Sequence, residues 1–153
     1  MGTIDIERID NKDIDLIKEL WEALREHHKN QTDHFKQRFE NLTFETRKKA
    51  LLEKSEHGKL IIDIVKINTG KIIGYCVSSI DERLNGEIDS ILVDEQFRGM
   101  KIGEELMARA LKWFDENEVE TRRIVVAQGN EKAFKFYEKF GFYHLFSTLQ
   151  QKR

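Results

Sequence analysis

Proline is absent from this chain. Turns therefore fall to Asn, Asp and Gly, and each glycine position carries more information than usual. Cysteine is nearly absent as well. The single Cys76, set in an apolar run, excludes an internal disulfide framework and favours a reducing compartment. No apolar run approaches the roughly 20 residues that a bilayer-spanning helix needs. The opening Met-Gly-Thr-Ile-Asp-Ile lacks the charged-then-apolar order of a secretory leader. A charge excess is missing too, because 26 Lys and Arg against 28 Asp and Glu leave a formal charge of -2. That balance gives no support to nucleic-acid or membrane binding. The expectation is a cytoplasmic protein, and 153 residues suit one domain, 1–153, around one core.

What is present is a regular alternation of helical and strand patterns. Residues Thr3 to Arg8 alternate and read as an edge strand. Ile14, Ile17, Leu20, Trp21 and Leu24 share one face of a helix predicted over Lys12 to Lys29. A second helical region, His34 to Lys54, is interrupted near Asn41 to Thr43, where helix propensity drops. Strands are predicted over Lys59 to Ile67 and Lys71 to Ile80, joined through Asn68-Thr69-Gly70. Asn85-Gly86 reads as a second tight turn, leading into a strand over Glu87 to Val93. Ile102, Leu106, Ala110 and Trp113 or Phe114 mark a helix of about four turns. A strand over Thr121 to Gln128 follows, then a short helix with Asn130 as N-cap and Gly141 as its end. A last strand spans Phe142 to Leu149.

The order β-α-α-β-β-β-α-β-α-β predicts an α/β (α+β) fold. Its centre is a mixed, twisted sheet of about six or seven strands with helices on both faces. The strands flanking the helix from Ile102 should be parallel.

One stretch carries more chemistry than the rest, Ser90-Ile-Leu-Val-Asp-Glu-Gln-Phe-Arg-Gly-Met-Lys-Ile-Gly-Glu-Glu-Leu106. An apolar strand enters a basic, glycine-bearing turn, and an amphipathic helix starts at once. Such a turn aims backbone N–H groups and the positive end of a helix dipole at one point. That arrangement suits a phosphate or pyrophosphate, and Arg98 and Lys101 add mobile positive charge. His27, His28 and His34 have no Cys or carboxylate at recognisable ligand spacing, so they are read as solvated or pocket-lining residues and no metal is expected. Cys76 is read as a small buried hydrophobe.

The segment from Val93 to Gly103, with Arg98, Gly99, Lys101 and Gly103 at its marked positions, is similar to the Arg/Gln-x-x-Gly-x-Gly/Ala loop of the GNAT superfamily of acyl-CoA-dependent N-acyltransferases. A second segment, Asn130-Glu-Lys-Ala-Phe-Lys-Phe-Tyr137-Glu-Lys-Phe-Gly-Phe142, resembles that superfamily's Asn…Ala…Phe-Tyr…Gly-Phe helix and strand. The likeness covers nearly the whole chain and is specific in its second half. Lys101 departs from it, standing where the family has its first loop glycine. If the loop needs a left-handed residue there, the lysine costs on the order of 1–2 kcal/mol. Alternatively its N–H still faces the phosphate and its ammonium adds a contact.

The resemblance implies acetyl-CoA as co-substrate. Arg98, Gly99, Met100, Lys101, Ile102 and Gly103 would hold the pyrophosphate, and backbone groups around Leu92 and Val93 would pair with the pantetheine amides. Asn130 and Ala133 would line the cofactor site, and Tyr137 would protonate the departing thiolate. The implied reaction moves an acetyl group to a primary amine of a small molecule or protein, by direct attack in a ternary complex. An alkyl ammonium of pKa roughly 10 must first lose a proton. Glu87 matches the acidic base of the histone-acetylating branch, and Asp89 a position often acidic in small-molecule members. Glu87 is favoured as the base, with Asp89 as substrate ligand or substitute base and water left open. A non-catalytic acyl-CoA-binding regulatory module is the alternative. A homodimer is also compatible with the resemblance, as such domains often pair through their last strands or helices. Trp21, His28 and Phe35 stand where an acceptor pocket would be covered, with Trp21 read as core.

Overall fold

β-Branched residues concentrate between Leu60 and Val93, and they build the middle of one sheet. The structure, a computed structural model, describes residues 3–153. Met1 and Gly2, on which the leader reading partly rests, lie outside the described residues. Five strands form the sheet in the order β1-β2-β3-β4-β5. They are β1 (Ile4–Ile9), β2 (Lys59–Ile67), β3 (Ile72–Ile80), β4 (Asn85–Val93) and β5 (Thr121–Ile124). The first four are antiparallel neighbours, and β5 joins β4 in parallel. The mixed sheet expected from the sequence is present.

A 3-10 segment, Asn11–Ile17, opens into α1 (Lys18–Gln31), followed by α2 (Lys36–Asn41) and α3 (Phe44–His57). The expected interruption is real. Leu42 and Thr43 are extended, and the Thr43 hydroxyl accepts from the Thr46 N–H to start α3, satisfying one orphan donor of the new helix. The α4 helix (Ile102–Glu116) connects β4 to β5, and α5 (Ala133–Glu138) follows β5.

Two apolar layers cover the two faces. Ile14, Ile17, Trp21, Phe44 and Leu51 pack on Leu60, Ile62, Ile64, Tyr75 and Val77. On the other face Ile102, Leu106, Met107, Ala110, Trp113 and Phe114 of α4 pack on Val65, Ile73, Cys76 and Ile88. Trp113 and Phe114 both serve, because adjacent positions straddle a broad helical stripe. Each large side chain buried this way contributes about 1.5–3 kcal/mol.

One charge sits under α4. Asp63 of β2 is 1% exposed and holds Arg8 of β1 at 2.9 Å and Arg109 of α4 at 3.1 Å. Both arginines reach it as two-pronged forks. Strand, sheet centre and helix are thereby tied at one point.

Four expectations need correction. The sheet has five strands among the described residues, not six or seven, because the segment Phe142 to Leu149 forms none. Its apolar alternation suits a strand, but a strand also needs a neighbour's ladder, and no described segment pairs with it. For the same reason β5 stops at Ile124 rather than Gln128, leaving Val125 73% exposed. Asn85-Gly86 is not the hairpin turn but the start of β4. The turn lies one step earlier, where Asp81 Oδ1 accepts from the Arg83 and Asn85 N–H groups and Leu84 takes φ 63°. Asn130 caps α5 only through its backbone, its carbonyl accepting from the Ala133 N–H at 3.0 Å, while Lys132 is the N-cap residue.

Candidate active site

The centre of interest is where β4 and β5 part. Their pairing runs from Asn85 opposite Thr121 to Ile88 opposite Ile124, and β4 then continues to Val93 without β5. At the same point the register with β3 slips. Val77 faces Ser90 and Ser78 faces Ile88, so Asp89 is an extra, bulged residue. A bulge re-aims side chains and breaks the two-residue alternation. Glu87 and Asp89 both reach Lys54 of α3, and Ser90 turns to the same side, its hydroxyl 2.7 Å from that of Tyr75. Ile91 and Val93 pack against the α4 core instead. The two acids share a face as their spacing suggested, and Val93 lies on the opposite one.

The Asp89 side chain is fully buried. One oxygen is bonded by the Lys54 ammonium, while Oδ2 is buried without a hydrogen bond of its own. Burial pushes its pKa up from the ordinary carboxylate value, against the pull of Lys54 and the nearby Ser79 hydroxyl. Its backbone carbonyl accepts from Arg47 of α3 at 3.0 Å. Glu87 is more open and is held by Arg123 at 2.9 Å and Lys54 at 3.5 Å. The Glu87 and Asp89 carboxylates, with Lys54 and Arg123 on their side chains and Arg47 on the Asp89 carbonyl, thus form one cluster beside the strand gap. Outside it lies a cleft of about 750 Å³, lined among others by Lys54, His57, Ser79, Asn85, Glu87 and Arg123.

At the far end of the gap, the Asp94 N–H donates to the Ile73 carbonyl and Val93 stands opposite Gly74. In an antiparallel pair of that kind the Val93 N–H and C=O point away from β3, towards the gap. Leu92 alternates with it, so its backbone is taken up by Tyr75. The Val93 carbonyl accepts from Arg98 Nε at 3.3 Å. A short 3-10 turn, Glu95–Phe97, follows, with Gly99 at φ 84° and Lys101 left-handed at φ 61°. The first α4 bond runs from the Glu105 N–H to the Lys101 carbonyl. The N–H groups of Ile102, Gly103 and Glu104 therefore have no partner within the helix. A Cβ on Gly103 would lie 3.1 Å from the Phe136 ring, so that glycine lets α5 close against the loop. Arg98, Gly99, Met100 and Lys101 are all exposed.

Tyr137 of α5 packs edge-on to Phe136, with centroids 5.4 Å apart, at the margin of the α4 core. Burial, with a smaller contribution from the nearby Cys76 thiol, raises its pKa to about 12, so it keeps its proton at neutral pH. Cys76 is buried and its thiol is likewise pushed up to about 12, as fits a packing residue.

Comparison with known proteins matches residues 16–142 to the Acetyltransferase (GNAT) family. The chain belongs to the GNAT acetyltransferase family. It is 32% identical over 103 residues to an uncharacterized N-acetyltransferase of Methanocaldococcus jannaschii, a match covering 61% of this chain and 42% of that protein. The chain thus spans less than half the length of that curated relative. Its fold is similar to a GCN5-related N-acetyltransferase from Ralstonia eutropha, with TM-score 0.77, 17% identity and coverage of 97% of this chain and 98% of the other. A ribosomal-protein-alanine N-acetyltransferase from Brucella melitensis gives TM-score 0.67 at 15% identity, covering 99% of each chain.

This GNAT chain carries site-facing residues that its sequence does not announce. Lys54, Arg47, Ser79 and Arg123 all reach the two acids, yet none belongs to a motif, because α3, β3 and β5 meet β4 only in the folded sheet. The expected acceptor cover is partly core. Trp21 is buried edge-on to Phe44, with centroids 5.5 Å apart. His28 tilts against Phe39 at 5.7 Å, and burial, with smaller repulsion from His27, lowers its pKa. Asp33 is engaged by the Gln128 amide, whose oxygen also contacts Thr32. That network ties the end of α1 to the chain leaving β5. Gly129 there has φ 95°, and a Cβ would sit 2.4 Å from the Gln31 carbonyl.

Proposed function

We propose that this acetyltransferase moves an acetyl group from acetyl-CoA to a primary amine by direct attack in a ternary complex. The observation that carries the reading is the gap opening between β4 and β5 at the bulged, buried Asp89. The basic loop before α4 lies at one end of that gap. On this reading the unpaired N–H groups of Ile102 and Gly103, with Arg98, Gly99, Met100 and Lys101 around them, hold the pyrophosphate. Val93 offers backbone groups to the pantetheine, with Leu92, Asn130 and Ala133 beside it. The acceptor ammonium loses a proton to Asp89 or Glu87, directly or through water. Its nitrogen attacks the thioester carbonyl, the C–S bond breaks, and Tyr137 protonates the leaving sulfur. The second nitrogen proton is lost, leaving the amide and restoring the tyrosine's proton through solvent. The test is thiol release from acetyl-CoA across a panel of small-molecule and peptide amines. Amine-dependent release supports the enzyme, whereas acetyl-CoA binding without release under any amine supports a non-catalytic regulatory module. Such an enzyme would act in the cytoplasm without nucleic-acid or membrane partners and without a metal. Pairing of two copies is supported by the exposed Tyr143, Leu145, Phe146 and Leu149, since a contiguous apolar segment of that kind suits an interface.

Asp89 gives this reading a pH signature. Its pKa is raised by burial, so the acid limb of kcat/KM is expected above the ordinary carboxylate range, with activity falling as Asp89 protonates. Asp89→Asn should remove that limb together with most activity. The stability effect has the opposite sense. A raised carboxyl pKa means the folded state binds the proton more tightly, so the contribution is present at low pH and lost as pH rises through that pKa. Asp89→Asn is therefore expected to hold or raise the melting temperature at neutral pH, and a large drop there would contradict this.

Lys101 is open to a separate test. Its left-handed backbone disfavours a side chain by roughly 1 kcal/mol. Lys101→Gly should stabilise the fold by about that much while weakening acetyl-CoA about fivefold through loss of an exposed charge contact. Melting curves and calorimetric titration read the two effects, and unchanged affinity would remove the ammonium from the pyrophosphate site.

A further inference from the structure

We infer that Lys54 is itself an acetyl acceptor, taking one acetyl group from the cofactor in a slow self-modification. This rests on the acyl-transfer reading above. Lys54 lies in the last turns of α3 (Phe44–His57), and its ammonium is bonded to Asp89 and lies 3.5 Å from Glu87. Asp89 is the bulged residue, the first of β4 beyond its pairing with β5. The amine is thus tethered, by its contact with Asp89, to the point where the gap begins. No other lysine touches Asp89 or Glu87 among the described residues. Lys48 of the same helix turns away to Asp15 at 2.9 Å, and Lys49 is exposed.

The cluster is also equipped for proton removal. Asp89 Oδ2 is a buried acceptor with no hydrogen bond of its own, beside an ammonium that has three protons to give. Lys54 is 38% exposed and lines the open cleft, so its stem can shift and water can carry a proton away. In the step, the ammonium first gives one proton to Asp89 and then to solvent. The free Nζ lone pair attacks the thioester carbonyl carbon and the C–S bond breaks. The second nitrogen proton is lost as the sulfur gains one, leaving N-acetyl-lysine and coenzyme A. The consequence is electrostatic. Acetylation removes one positive charge from beside Glu87 and Asp89. An external ammonium then has a vacated partner beside the gap.

The experiment incubates the full chain with acetyl-CoA and no added amine, then quantifies each lysine by peptide mass spectrometry while acetyl-CoA binding is measured calorimetrically. Tethering should make Lys54 acetylate at least about tenfold faster than exposed Lys49. Asp89→Asn should abolish the excess of labelling at Lys54 over Lys49. Bound acetyl-CoA with Lys54 labelled no faster than Lys49 overturns this inference and leaves the acyl-transfer reading standing. Absence of acetyl-CoA binding overturns both. The wild-type ratio of Lys54 to Lys49 decides the matter even if the variant fails to fold.

Discussion

Tyr137→Phe is expected to lower kcat by about 10²- to 10⁴-fold, the usual contribution of a positioned acid. Acetyl-CoA affinity should stay within about twofold, a change expected of an interaction made only in the transition state. A thiolate leaving from the thioester needs its proton at the moment the C–S bond breaks. Tyr137 holds a proton at neutral pH as an ordinary phenol does, and burial lifts its pKa further, to about 12. Phenylalanine keeps the edge-on contact with Phe136 and the packing on the α4 core, so a folding defect is not expected. Steady-state turnover, paired with calorimetric titration of acetyl-CoA, separates the two effects. Equal turnover with a good amine would remove Tyr137 from the chemistry and leave it a core aromatic.

The second large effect concerns stability. Asp63→Ala is expected to cost about 3 kcal/mol, because it strips two arginine forks of their one buried carboxylate. Arg8 and Arg109 keep a path to water, with side chains 39% and 37% exposed, which holds the loss at the lower end of the range for broken buried pairs. Arg109→Ala should cost less, about 1–2 kcal/mol, since Asp63 keeps Arg8. Urea unfolding of both variants measures this, and a smaller loss for Asp63→Ala than for Arg109→Ala would refute it. The cluster also bears on the site. Arg109 fastens α4 to β2, and the N-terminus of α4 is where the basic loop ends. Loss of the anchor should therefore weaken cofactor binding as well as the fold.

Much of the frame was legible from local pattern. The β2 limits were readable to the residue, and the break between α2 and α3 was marked by a Thr that caps the next helix. The α4 stripe was visible because helical spacing survives whatever the partner is. What failed were features that need a partner. Phe142 to Leu149 has a strand's alternation, yet a ladder requires a second edge. Asn85-Gly86 has hairpin composition, but the Asp81 carboxylate closes the turn a few residues earlier. Asn130 has a capping side chain, although its backbone carbonyl does the work.

The candidate site divides the same way. By itself the sequence determined the basic turn, its glycines, the α4 start and the position of Tyr137, because each depends on neighbours within a few residues. The left-handed backbone of Lys101 was foreseeable as one of two outcomes, and the folded loop shows it. Tertiary structure alone decided which face the acids occupy and what they touch. The bulge at Asp89 arises from a slip against β3, and Lys54, Arg47 and Arg123 arrive from elements up to 42 residues away along the chain. Such contacts depend on the register of paired strands and the docking of a helix, which no local run of side chains encodes.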